Sequence, residues 1–190
     1  MQEYVITKKA IFVLALIGII TVASTYFILT QTSTKVTGLA AGTATVSVNP
    51  TVTMSLQQAT VDFGDLVRSG VNNTTDEKPQ PFKVRNDGNV LLNVSVRASS
   101  FIFSGSGAGN NTNKFQFMSG NVSGESNAFS WGNSITSFTN FTDVNQNTVA
   151  TLNFSDTSDE AEVEIQIRVP SDEALGNKSA DVIFTASQSS

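Results

Sequence analysis

Nine residues, AEVEIQIRV, alternate in a way that constrains this chain more than any other stretch. Ala161, Val163, Ile165, Ile167 and Val169 carry apolar side chains, and Glu162, Glu164, Gln166 and Arg168 stand between them. A period of two places the apolar set on one face of a β-strand and is incompatible with an amphipathic helix. Pro170 ends the run, because it has no amide to continue a ladder. The same pattern recurs along the chain. It appears at Val46 and Val48, at Val52, Met54 and Leu56, and at Phe82 and Val84. It continues at Val90, Leu92, Val94, Val96 and Ala98, then at Ala150, Leu152 and Phe154, and at Val182, Phe184 and Ala186. Shorter apolar runs are TVDFG, FIF and KFQFM. About eight to ten strands, each polar on one face, predict an all-β protein. The expected architecture is an antiparallel β-sandwich, jelly-roll or Ig-like, with a closed barrel as the alternative. Ser104 to Asn113 and Ser119 to Asn147 are Gly-, Ser- and Asn-rich and read as loops,. The second of these carries Phe129, Trp131, Phe138 and Phe141. Those aromatics are expected to pack over one end of the sheets, with Trp131 as an edge anchor rather than a ligand platform.

PFKVRNDGNVLLNVSVRAS, from Pro81 to Ser99, places the cluster NDGN between two alternating runs. A two-residue loop at Asp87–Gly88 would oppose inward Val84 to outward Leu91. A three-residue loop of Asp87, Gly88 and Asn89 instead faces Val84 to Leu92 and Phe82 to Val94, so a register-setting hairpin is expected. Gly88 and Asn89 would supply its left-handed conformations. This explains Asp87 as a turn former rather than a metal ligand.

The strands follow an N-terminal segment of different character. AIFVLALIGIITVASTYFILT, Ala10 to Thr30, contains no charge and has about the length of a spanning helix. Lys8 and Lys9 precede it and Lys35 follows, which directs residues 1–9 to the cytoplasm. Residues 10–30 are expected to form a hydrophobic helix that anchors the chain in the membrane, 31–42 a linker, and 43–190 an extracytoplasmic domain. Two other readings stand beside the anchor. Thr21 and Ala23 have the small-residue spacing of a cleaved secretory signal,. TKKAIFVL looks like the processing site of archaeal prepilins, with cleavage after Ala10.

Residue types narrow the chemistry. The chain has no cysteine and no histidine, which excludes thiolate chemistry, serine–histidine–aspartate catalysis and the commonest transition-metal ligands,. A net charge of −5 argues against a nucleic-acid partner,. No cofactor is expected. Calcium is the one metal the oxygen ligands allow, with Asp156, Asp159 and Glu160 of DTSDE as its candidate site. Asp172 and Glu173 form a second acidic loop beyond the far end of the same strand. At about 30 Å of strand, the two loops cannot share an ion. Each is expected to be a solvated turn. Glu162 and Glu164 lie roughly 7 Å apart on one face, a separation a glycosidase could use, but a solvated sheet face is the expectation. A carboxylate-dependent hydrolase is therefore the weakest functional reading, and a non-enzymatic protein the preferred one.

Asn-X-Ser/Thr triplets start at Asn72, Asn73, Asn93, Asn110, Asn121, Asn140, Asn153 and Asn177. These are the candidate glycosylation sites. Asn93 and Asn153 alternate with apolar neighbours and should face outward, and the others fall in predicted loops. That placement agrees with export.

VDFGDLVRSG followed by PFKVRNDGNVLLNVSV resembles small exported β-sandwich proteins of the TasA/camelysin kind and archaeal cell-surface proteins. IQIRVPSDEALGNKSADVIFTAS resembles the same archaeal surface proteins. The resemblance covers roughly Thr43 to Ser187. It implies a structural or interaction protein of the cell surface, membrane-anchored or secreted. It also implies self-association into a filament or surface layer, because TasA-like subunits donate an N-terminal strand to a neighbouring sheet. GTATVSVNPTVTMSL could act as such a donor or as the first strand of its own domain.

Overall fold

The computed structural model describes residues 15–20, 45–104 and 113–190. The chain divides into two compact units, Met1–Ser47 and Val48–Ser190. In the first, residues 15–20 are helical. The rest of the expected 10–30 helix, the 31–42 linker and Asn110 lie outside the described residues. No helix among the described residues is long and apolar enough to cross a membrane.

The second unit is all-β, built from two antiparallel sheets. Its strands are β1 (Met54–Gln58), β2 (Val71–Asn73), β3 (Phe82–Asn86), β4 (Leu92–Ala98), β5 (Phe115–Gly120), β6 (Thr139–Asn140), β7 (Gln146–Leu152), β8 (Glu160–Arg168) and β9 (Val182–Gln188). One sheet runs β1-β3-β8-β5-β6, with β2 also paired to β8, and the other runs β7-β4-β9. The strand that first fixed the fold class, β8, is central: β3 and β2 pair along one side of it and β5 along the other. The alternation works as expected. Val84, Leu92, Val94, Val96, Phe117, Val149, Leu152, Ala161, Val163 and Ile165 all join one buried cluster drawn from both sheets. Burying each of the Val, Leu, Ile and Phe side chains among them stabilises by about 1.5–3 kcal/mol. Phe141 belongs to the same core, its ring 4.3 Å from Phe115 and 4.6 Å from Phe117. Phe129 is buried as well. Trp131 opens a short 3-10 turn, is about half exposed and lies 5.8 Å from Phe129. Phe154 departs from its expected inward position and is 44 % exposed.

The expected hairpin at NDGN does not form. β3 and β4 belong to different sheets, so the stretch is a corner between sheets. NDGN itself continues the pairing of β3 with the β1 side: the Asp87 amide donates to Thr53 and the Asn89 amide to Thr51. The Thr51 amide in turn donates to Asn89 Oδ1 at 2.6 Å. Met54–Gln58 is therefore a strand of its own unit, and the Thr51 and Thr53 carbonyls carry its contacts on toward NDGN. Neither Gly88 nor Asn89 is among the described residues with left-handed backbone. Glycine is needed at position 88 for a different reason. A Cβ there would sit 2.2 Å from the Thr51 carbonyl oxygen. Gly88→Ala should therefore destabilise the fold by roughly 1–3 kcal/mol, read as a lower midpoint in urea denaturation.

Asn86 fastens the corner. It is 1 % exposed, and its Nδ2 donates to the Val90 carbonyl at 2.8 Å and to the Leu152 carbonyl at 3.1 Å. Its Oδ1 accepts the Gly88 amide at 3.0 Å. One side chain thus joins β3, the connection to β4, and β7 of the other sheet.

Candidate functional site

Two groups of carboxylates stand out once the strands are in place. The first lies where β3 ends and β8 begins. Arg85, Asn86, Asp87 and Gly88 from β3 and its extension line one side of a cleft of about 440 Å³. Phe154, Asp156, Asp159 and Glu160, from the β7–β8 connection and the start of β8, line another, and Glu125 from the loop after β5 completes it. The calcium candidates Asp156, Asp159 and Glu160 and the NDGN stretch therefore meet in one place. The sequence links Asp156, Asp159 and Glu160 to one another within DTSDE, and Asn86 to Gly88 within NDGN, but does not bring the two stretches together. Glu125 arrives from a loop whose path the sequence does not encode locally.

Five carboxylates share this cleft with one guanidinium. Arg85 Nε donates to Asp87 Oδ1 at 2.6 Å. The Ser55 hydroxyl and then Arg85 hold the Asp87 carboxyl below its ordinary range. Glu160 lies 4.0 Å from Lys83 Nζ. Asp159 differs from these. It is 9 % exposed, and burial pushes its carboxyl upward, Glu125 adds to the shift, and Arg85 opposes it. A solvated turn is the expectation for this residue, but it is buried. Despite the crowding, no three carboxylates among the described residues are arranged to hold a metal ion. The calcium expectation for Asp156, Asp159 and Glu160 thus gains no support from the geometry. The second acidic loop is elsewhere. Asp172 is exposed, while Glu173, expected to be solvated, is buried. Glu173 ties three segments together: Lys178 Nζ sits 2.6 Å from it, and the Ser104 amide and hydroxyl donate to it at 3.0 and 3.1 Å.

The second group is Glu162 and Glu164 on β8. They alternate with core residues, as expected, but the face they occupy is covered, leaving them 4 % and 6 % exposed. Thr74, itself fully buried, packs against Glu164. Its hydroxyl accepts the Ile165 amide at 2.9 Å and donates to Glu164 Oε2. Glu164 also lies across Gly120, where a Cβ would come 2.8 Å from its Oε1. Burial, then Glu77 and Glu164, push the Glu162 carboxyl up to about 7, with Lys83 opposing. Burial raises Glu164 too, while the Thr74 bond opposes that shift. In the sequence Thr74 is only the third residue of the Asn72 triplet, and nothing local marks its contact with Glu164.

The sequon asparagines fall into two kinds. Asn121 and Asn177 are exposed. Others have amides already engaged. Asn93 Oδ1 accepts the Thr151 amide at 3.0 Å, where Thr151 adopts a left-handed backbone, φ 55°. Asn140 Oδ1 accepts from the Asn113 amide at 2.8 Å and from Gln116 at 2.9 Å. Asn153 Nδ2 donates to Ser158 at 3.1 Å. Asn73 Oδ1 accepts the Thr75 amide at 3.0 Å, and Asn72 Oδ1 accepts the Asn73 amide at 2.9 Å. No family model, curated protein or solved structure matches the chain.

Proposed function

We propose that this is a non-catalytic, membrane-anchored or secreted protein of the cell surface, built to hold a shape and to bind. Its two sheets pack face to face as an antiparallel β-sandwich, and a hydrophobic helix precedes them in the sequence. One observation carries the reading: a charge-free apolar run, Ala10 to Thr30, precedes an all-β unit in the chain. The use of the acidic side chains supports it. Glu164 ties β8 to Thr74, and Glu173 ties its loop to Ser104 and Lys178. Carboxylates used this way position loops, and no substrate chemistry is needed to account for them.

Intact mass and N-terminal sequencing of the native protein test the reading. A start at Met1 is expected for the anchor, one near Ser24 or Thr25 for secretion, and one at Ile11 for the pilin-like leader. The same mass reports glycans on the sequons. A full-length, unmodified chain recovered wholly from the cytosol would contradict export.

A second reading, a filament subunit, has its own support. Among the described residues β9 pairs with β4 alone, and Val182–Gln188 contains no charge or proline to discourage a further strand,. Val46 and Val48 are 88 % and 77 % exposed and alternate as a donated strand would. Electron microscopy of the processed protein should show polymers on this reading, and monomers at every concentration would remove it.

A further inference from the structure

We propose that residues 74–81, the connection between β2 and β3, form a strap that stays shut over Glu162 and Glu164 in acid and opens as pH rises. Two strands pair along one side of β8 and leave a gap between them. β2 ends its pairing at Asn73, opposite Gln166, and β3 begins at Phe82, opposite Val163. The strap bridges that gap, and Thr74 fastens it. The Thr74 amide donates to the Ile165 carbonyl at 3.0 Å. Its hydroxyl accepts the Ile165 amide at 2.9 Å and donates to Glu164 Oε2. Beyond Thr74 the strap holds mainly to itself. Thr75, Asp76, Glu77 and Lys78 are exposed. Among the described residues the Thr75, Glu77 and Lys78 amides bond only to Asn73, Thr74 and Asp76. Glu77 has a left-handed backbone, φ 62°, which is uncommon for a residue with a Cβ. Segments with few bonds to the rest of a fold are the ones that open locally.

Charge drives the opening. Under the strap, Glu162 and Glu164 share one face of β8 and are 4 % and 6 % exposed. Glu77 on the strap and Glu160 on β8 add negative charge, and Lys83 on β3 opposes them. β5 meets the pair with Met118 and Gly120, and β2 ends in Asn72 and Asn73, none of them charged. One ammonium therefore stands against four carboxylates. A buried carboxyl ionises readily only when water reaches it, and release of Thr74 admits water to both. Burial raises both carboxyls, Glu162 to about 7, with the Thr74 bond opposing at Glu164. In the open form Glu162 loses its proton near the ordinary 4.5. Opening therefore becomes easier as pH rises from that value and levels off above about 7,.

Native-state hydrogen exchange tests this on the full-length chain in a neutral detergent, read amide by amide at pH 5 and pH 8 in urea below the unfolding transition. At pH 8 the Thr74 and Ile165 amides should be at least about tenfold less protected than those of Val94 and Val96 in β4. They should also show no dependence on urea, the mark of a local opening that exposes little surface. At pH 5 their protection should rise about tenfold or more. The Glu162→Gln, Glu164→Gln double variant should lose that pH response, whereas Asp172→Asn, in a separate acidic loop, should keep it. If the double variant does not fold, Glu162→Gln alone decides, with the response expected to fall at least about threefold. Thr74 and Ile165 amides that follow urea as Val94 does overturn the inference, because the strap then opens only with the whole unit. So does a pH response that persists unchanged in the deciding variant.

Discussion

Glu162→Gln is expected to raise the melting temperature at pH 8 by about 5 °C and to flatten its dependence on pH. In the folded chain the Glu162 carboxyl releases its proton at about 7, against an ordinary value of 4.5. Between those two values the folded state keeps a proton that the unfolded chain has lost. Stability contributed by the protonated group is complete below about 4.5, falls as pH rises, and is gone above about 7. The loss is roughly 2 kcal/mol once partial solvent screening is allowed for. Glu164 and Asp159 are shifted in the same direction, so the parent protein should melt higher at pH 5 than at pH 8. Asp87 is shifted downward, and its contribution is lost only in stronger acid, outside this window. Glutamine at 162 keeps the shape and never carries a charge. Thermal melts of parent and variant at pH 5 and pH 8 check this. A variant that melts lower than the parent at pH 8 would mean Glu162 is stabilising as an anion, and the burial argument would be wrong.

Asn86→Ala is expected to cost about 3–5 kcal/mol, the larger of the two effects. The substitution leaves the Val90 and Leu152 carbonyls without the Nδ2 donor and the Gly88 amide without its acceptor. Asn86 is 1 % exposed, so water cannot easily replace those bonds. Asn86→Asp separates hydrogen bonding from volume. A carboxylate still accepts the Gly88 amide but turns an acceptor toward two carbonyls. It should be at least as destabilising as alanine near neutral pH and recover in acid, where the protonated form donates to one carbonyl. Urea denaturation of the three proteins measures the differences. An alanine variant within about 1 kcal/mol of the parent would show that the corner is held by other contacts.

The contrast between β8 and NDGN shows what the sequence carries. Period-two alternation at Ala161, Val163, Ile165 and Ile167 reports which side chains face the core, and all four are buried there. Alternation also placed Val84, Leu92 and Val94 inward correctly. It could not report whether Val84 and Leu92 approach each other within a sheet or across the core. A hairpin and a corner between sheets satisfy the same sidedness. What separates them is the Asn86 side chain reaching Leu152 and the Thr51 carbonyl pressing on Gly88. Both partners lie far from NDGN in sequence. The buried Glu162–Glu164 face was hidden for a similar reason. Glutamates alternating with valine and isoleucine describe a wet outer face until a distant segment packs against it, and Thr74 does so from 90 residues away. The cleft was half visible. DTSDE and NDGN each looked acidic and turn-like, but their meeting, and the arrival of Glu125 between them, depends on strand order.

On the proposed function the β-rich unit works outside the cell. Protease applied to intact producing cells, followed by blotting for a tag placed after Ser190, tests it most directly. The tagged Val48–Ser190 unit is expected to be digested or released while a cytosolic control in the same cells stays whole. A chain protected until the cells are lysed would contradict it.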